Sequence, residues 1–138
     1  MSDSNSIKPP NTLQAQERIK SKKLFDQLFE SGKSIRQAPF RLLWVEIPFD
    51  EKNPVQLGVT APKRMMRKAN HRNRMKRILR EAYRINKHDL ISYCKDSNKG
   101  IAVLFISQCN VPLPFSQTQD KIILLLQRLI RQNAQPAE

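Results

Sequence analysis

Between Lys63 and Arg84 the chain carries ten Lys or Arg residues against a single acid, Glu81. Apolar residues nevertheless recur through the same stretch at helical spacing: Met75, Ile78, Leu79, Ala82 and Ile85. A solvated basic tail has no such stripe. The spacing predicts one long helix over Ala69 to Lys87, docked by its apolar side on a core. Advancing 100° per residue from Arg72 puts Lys76, Lys87, Arg80, Asn73, Arg84 and Arg77 on one continuous arc opposite the apolar one, with Arg74 at its margin. Like charges at i, i+4, such as Arg72, Lys76, Arg80 and Arg84, cost roughly a few tenths of a kcal/mol per pair. A rigid face that tolerates that repulsion needs a polyanion.

Lys plus Arg number 25 against 12 Asp plus Glu in 138 residues, a formal charge of +13. That balance favours nucleic acid over a small-molecule substrate. Binding to an acidic membrane would need an apolar face free of the fold, and the stripe on the basic helix is committed to a core. The longest strongly apolar stretch, Ile122 to Leu126, falls far short of the roughly 20 residues that cross a bilayer. The expectation is a cytoplasmic protein of one domain, spanning residues 17–131, with a disordered lead-in at 1–16 and a frayed end at 132–138. Cys94 and Cys109 lack C-x-x-C spacing and are expected to be free thiols.

Along the chain, Ser21 is a candidate cap for a helix carrying Leu24, Phe25, Leu28 and Phe29, ended by Gly32. Pro39 to Ile47 reads as a strand with apolar residues on both faces. Val55 to Thr60 reads as a second strand expected to pair antiparallel with it across the Pro48 to Pro54 turn. Ile101 to Ile106 reads as a buried strand of the same sheet, and Ser116 is a candidate cap for a last helix bearing Ile122, Leu125, Leu126, Leu129 and Ile130. The order helix, strand, strand, helix, strand, helix gives an α+β class: three helices packed on a small mixed β-sheet.

Two stretches resemble the protein subunit of bacterial ribonuclease P. One is Leu57-Gly58-Val59-Thr60-Ala61-Pro62-Lys63-Arg64; the other is Arg72-Asn73-Arg74-Met75-Lys76-Arg77 with Arg80-Glu81. Phe25, Phe29 and Gly32-Lys33-Ser34 extend the likeness, so that it spans most of Glu17 to Arg131. The resemblance implies a ribosomal protein S5 domain 2-like fold with a left-handed βαβ crossover, a catalytic RNA as partner and precursor tRNA as substrate. In that family the RNA cuts away the 5′ leader, with Mg2+ expected at the RNA and no metal assigned to the protein. Three features depart from the family pattern: Arg64 stands where Lys is usual, Pro62 replaces a small residue, and Met65-Met66-Arg67 replaces a glycine-containing loop.

On this reading Arg72, Arg74, Lys76, Arg77 and Arg80 contact RNA phosphates, arginine through forked pairs and lysine as a point charge, with pinning of the helix to the sheet as the alternative for Arg74 at the arc's margin. Asn73 serves either a sugar hydroxyl or a structural link to a neighbouring loop. Lys63, Arg64, Arg67 and Lys68 reach the large RNA or the substrate. Phe25, Phe29 and Phe40 are the candidates for stacking an extended single-stranded leader; the competing reading puts the first two in the core, which is the expected place for Phe29. His71 and His88 stand seventeen residues apart, with no H-x-H or H-E-x-x-H pattern and no carboxylate pair for a nuclease of its own. The alternatives are a ribosomal or other structured-RNA-binding protein without a catalytic partner, and a DNA-binding module.

Overall fold

The computed structural model describes residues 15–135. A short 3-10 turn, Ala15–Glu17, leads into α1 (Lys22–Ser31), then β1 (Lys33–Gln37), β2 (Phe40–Ile47), β3 (Val55–Thr60), α2 (Ala69–Asn86), α3 (His88–Ser97), β4 (Gly100–Ser107) and α4 (Phe115–Ala134). The expected lead-in lies outside the described residues except for residues 15 and 16.

α1 begins and ends where its sequence says it should. Ser21 Oγ accepts the Leu24 N–H at 3.2 Å, and Gly32 donates its N–H to Leu28 O at 3.0 Å. A Cβ on Gly32 would stand 2.3 Å from that same carbonyl, so only glycine fits where β1 departs. α4 is not capped by Ser116: Pro114 occupies the N-cap position without a side-chain hydrogen bond.

The four strands form one sheet in the order β1-β2-β4-β3. β4 is buried along its whole length, as a continuous apolar run with both faces covered should be. It lies antiparallel to β2 and parallel to β3. The antiparallel pairing expected between β2 and β3 is therefore not made, because β4 lies between them. The loop 48–54 crosses the start of β4 so closely that a Cβ on Gly100 would come within 2.6 Å of Pro48 O. A tight hairpin turn would leave no room for that central strand.

Residues alternate across the sheet. Ile101, Val103 and Phe105 face a large core built with α2, α3 and α4, whereas Ala102, Leu104 and Ile106 face a smaller one beneath α1. Ile101 faces the three helices and donates its N–H to Pro54 O, just ahead of β3, at 2.9 Å. For an L-residue seen with its side chain toward the viewer and its strand running upward, the N–H and C=O point right, so β3 lies to the right of β4. From β3 the chain passes in front of the sheet through α2 and α3 and returns on the left. The crossover is left-handed, against the prevailing rule.

Among the described residues four helices, not three, pack on the sheet. α3 follows α2 after Lys87 and buries Leu90 and Cys94, one turn apart. The edge strand β1 has a single buried residue, Ile35. α4 runs past Gln132 to Ala134 because Asn133 is locked inside: its Oδ1 accepts from Tyr93 Oη at 2.5 Å and Lys99 Nζ at 3.0 Å, while its Nδ2 donates to Glu46 Oε2 at 2.9 Å. Residues 136–138 lie outside the described residues.

Candidate nucleic-acid interface

α2 buries Met75, Leu79, Ala82 and Tyr83, which sets its rotation on the sheet. That rotation leaves Asn73, Arg74 and Arg77 exposed and Lys76 and Arg80 half-buried. Glu81, the lone acid of the stretch, is taken by Arg84 through two bonds of 3.0 and 2.5 Å. The pairing holds the Glu81 carboxyl below its ordinary pKa and raises that of Arg84. Among the described residues no acid forms an ion pair with Arg74, Lys76, Arg77 or Arg80. Those four cations form an uncompensated face, and among the described residues Asn73 beside them makes no side-chain hydrogen bond.

Two basic residues of the expected arc are engaged within the fold. Lys87 is 3% exposed, its Nζ 2.8 Å from Glu17 Oε1, because the chain ahead of α1 passes under the end of α2. Arg72 turns toward the preceding loop, where its Nη1 donates to the carbonyls of Met66 and Arg67 at 3.0 and 2.7 Å. Arg72 is thus first a brace for the loop 62–68, whose turn is closed by Met65 and Met66 N–H groups on Pro62 O. Met66, where a glycine-containing loop was the family expectation, is buried in the large core and anchors that turn. Lys63, Arg64, Arg67 and Lys68 project from it, exposed, beside the first turns of α2.

On the other face, Phe25 of α1 lies half-buried against Gly58, where a Cβ would meet its ring at 3.0 Å and Leu104 Cδ1 at 3.1 Å. Phe29, one turn on, is 59% exposed rather than in the core. Phe40 is a correction: it is 0% exposed and points into the large core, away from α1. The alternation of β2 explains this, since Phe40, Leu42 and Trp44 face one way and Leu43 and Val45 the other. Arg41 shares the α1 side, where its Nε donates to Ser34 Oγ at 2.9 Å. The pairing register carries a row across that face, Arg36, Arg41, Ile106 and Thr60, ending next to the basic loop. Arg41 was missed in the sequence; strand alternation names it once the side occupied by α1 is known.

Cys94 and Cys109 are buried free thiols. Burial pushes the Cys94 thiol up to about 11 and raises Cys109 as well, which keeps both protonated and unreactive at neutral pH. Among the described residues no three His, Cys, Asp or Glu side chains gather as a metal site. Among the described residues no helix is long and apolar enough to cross a membrane.

Residues 13–130 match the family model described as Ribonuclease P, which takes in every strand, the basic loop and all of α2. The chain belongs to the ribonuclease P protein family. A curated relative, the ribonuclease P protein component of Chlorobium phaeobacteroides, is 33% identical over 106 residues, covering 70% of this chain and 73% of its own. The Thermotoga maritima ribonuclease P protein superposes with a TM-score of 0.61 at 25% identity, over 81% of this chain and 96% of that one. The Staphylococcus aureus ribonuclease P protein shares the fold with a TM-score of 0.62 at 21% identity, covering 82% and 94% of the two chains. As a ribonuclease P protein, the chain has its two candidate surfaces on one scaffold: the cationic face of α2 and, on the other side of the sheet, the surface around Phe25, Phe29 and Arg41.

Proposed function

We propose that this chain is the protein subunit of a ribonuclease P holoenzyme. In this reading the face formed by Arg74, Lys76, Arg77 and Arg80, with the loop cations Lys63, Arg64, Arg67 and Lys68, binds the catalytic RNA. The surface where α1 lies on the sheet takes the 5′ leader of precursor tRNA, with the exposed Phe29 ring stacking on bases and Phe25 beside it. Hydrolysis belongs to the RNA and the Mg2+ it holds. The protein supplies position and charge: it neutralises phosphates that would otherwise repel one another and holds an extended leader by contacts that tolerate any base.

The single observation behind this reading is the uncompensated cationic face of α2, held in place by the buried side chains of Met75, Leu79, Ala82 and Tyr83, on a scaffold that also exposes the Phe29 ring on α1. Reconstitution tests it. Precursor tRNA cleavage by the cognate catalytic RNA is measured at low Mg2+ with and without this protein, and stimulation is expected. RNA binding without any stimulation would reduce the protein to a structured-RNA binder and reject the subunit role.

A further inference from the structure

Ahead of α1 the chain runs as a strap along the open edge of β3. Ile19 donates its N–H to Leu57 O at 2.9 Å, and Arg18 stands in parallel register with Leu57. Residues paired in a ladder point to the same side of the sheet, and Leu57 points into the core under α2. Arg18 is therefore on the α2 side. Its neighbour Ile19 obeys the alternation, being buried in the smaller core beneath α1. Glu17 fixes the strap from the other end through its 2.8 Å ion pair with Lys87.

Arg80 precedes Lys87 by seven residues, two helical turns, and so lies on the same side of α2, along the line that the strap follows. It is half-buried, whereas Arg18 is exposed. Desolvation, with the positive charge of Arg18 adding to it, holds the Arg80 guanidinium below its ordinary pKa. Neither arginine has an ion-pair partner among the described residues, and the acid next to Arg18 is engaged by Lys87. Two guanidinium groups thus stand within electrostatic reach of each other at the border of a cationic face, one on a braced strap and one on a rigid helix.

We propose that Arg18 and Arg80 together clamp one phosphodiester of the bound RNA, so that the RNA-binding face extends from α2 onto the strap. A phosphodiester has two non-bridging oxygens, and each can take a forked pair of N–H donors. Its charge also cancels the repulsion between the two cations. The clamp rests on the reading of α2 as the RNA-binding face.

The test measures the dissociation constant of the full chain for the cognate ribonuclease P RNA, transcribed in vitro, at one fixed salt concentration. Arg18→Ala, Arg80→Ala, the double variant and Lys52→Ala are compared. Lys52 is an exposed cation in the 48–54 loop and controls for the loss of one charge. Each clamp variant is expected to weaken binding about tenfold, as loss of a charge-assisted hydrogen bond does. Because both grip one phosphate, the double variant should stay well short of the roughly hundredfold loss that independent contacts would give. Arg18→Ala matching Lys52→Ala while Arg80→Ala weakens binding overturns the clamp and leaves the α2 reading standing. No effect from any variant removes the α2 reading too. A full hundredfold loss in the double variant assigns two separate phosphates and also overturns the clamp. Arg18→Lys keeps the charge and aliphatic stem and serves where Arg18→Ala loosens the strap; affinity equal to the unaltered protein would reject forked pairing.

Discussion

Phe29→Ala separates leader recognition from folding. Full burial of a Phe side chain is worth about 1.5–3 kcal/mol, and Phe29 leaves well over half of itself in water, so its removal should cost the fold about 1 kcal/mol or less. A base stacked on the same ring contributes about 1–3 kcal/mol, which is a loss of roughly 5- to 150-fold in affinity. The assay is equilibrium binding of the reconstituted holoenzyme to precursor tRNA and to mature tRNA. The loss should fall on the precursor alone, since only it presents a leader. Phe40→Ala supplies the contrast: a fully buried ring in the large core should cost about 3–5 kcal/mol of stability with no preference between the two tRNAs. Equal weakening of both tRNAs by Phe29→Ala, or none of either, would remove stacking by this ring from the account.

Gly58→Val places methyl groups where the Phe25 ring and Leu104 already stand, and should lift α1 from the sheet. Leader affinity should fall by more than affinity for the catalytic RNA, which a paired binding measurement would register. Arg72→Ala frees two carbonyls and the loop 62–68; trypsin should then cut after Lys63, Arg64, Arg67 or Lys68 several-fold faster, and an unchanged digestion pattern would deny the brace. The Cys94 thiol titrates near 11 in the fold against an ordinary value of 9.0, so the folded state holds a proton that the unfolded chain releases. Its contribution is complete below pH 9 and is lost as pH rises toward 11, so unfolding midpoints in denaturant should decline across that window and the decline should shrink in Cys94→Ala. Affinity of the protein for the catalytic RNA should fall with salt at a log–log slope of roughly −4 if about five or six phosphates are neutralised, and a flat profile would contradict the cationic face.

The elements legible in the sequence are those whose determinants are local. The stripe Met75, Leu79, Ala82 sets the rotation of α2, Ser21 and Gly32 set the ends of α1, and six apolar residues in succession mark the strand buried on both faces. What escaped is decided by residues far away in the chain. A helical wheel gives the direction of Lys87 correctly, yet Glu17, seventy positions earlier, waits there and turns a surface cation into a buried one. Arg72 has the right angle for solvent, but the loop it follows folds back beneath its guanidinium. Phe40 and Arg41 are adjacent and must point oppositely; which of them shares a face with Phe25 and Phe29 depends on the side of the sheet that α1 covers, and α1 is separated from β2 only by an edge strand with one buried residue. Pairing is the least local of all: β2 and β3 are neighbours in sequence with complementary patterns, yet each buries more backbone and side chain against β4 than against the other. Periodicity alone therefore gives the orientation of the basic helix, while the partners that engage Arg72 and Lys87 lie in the loop and on the strap rather than on the helix.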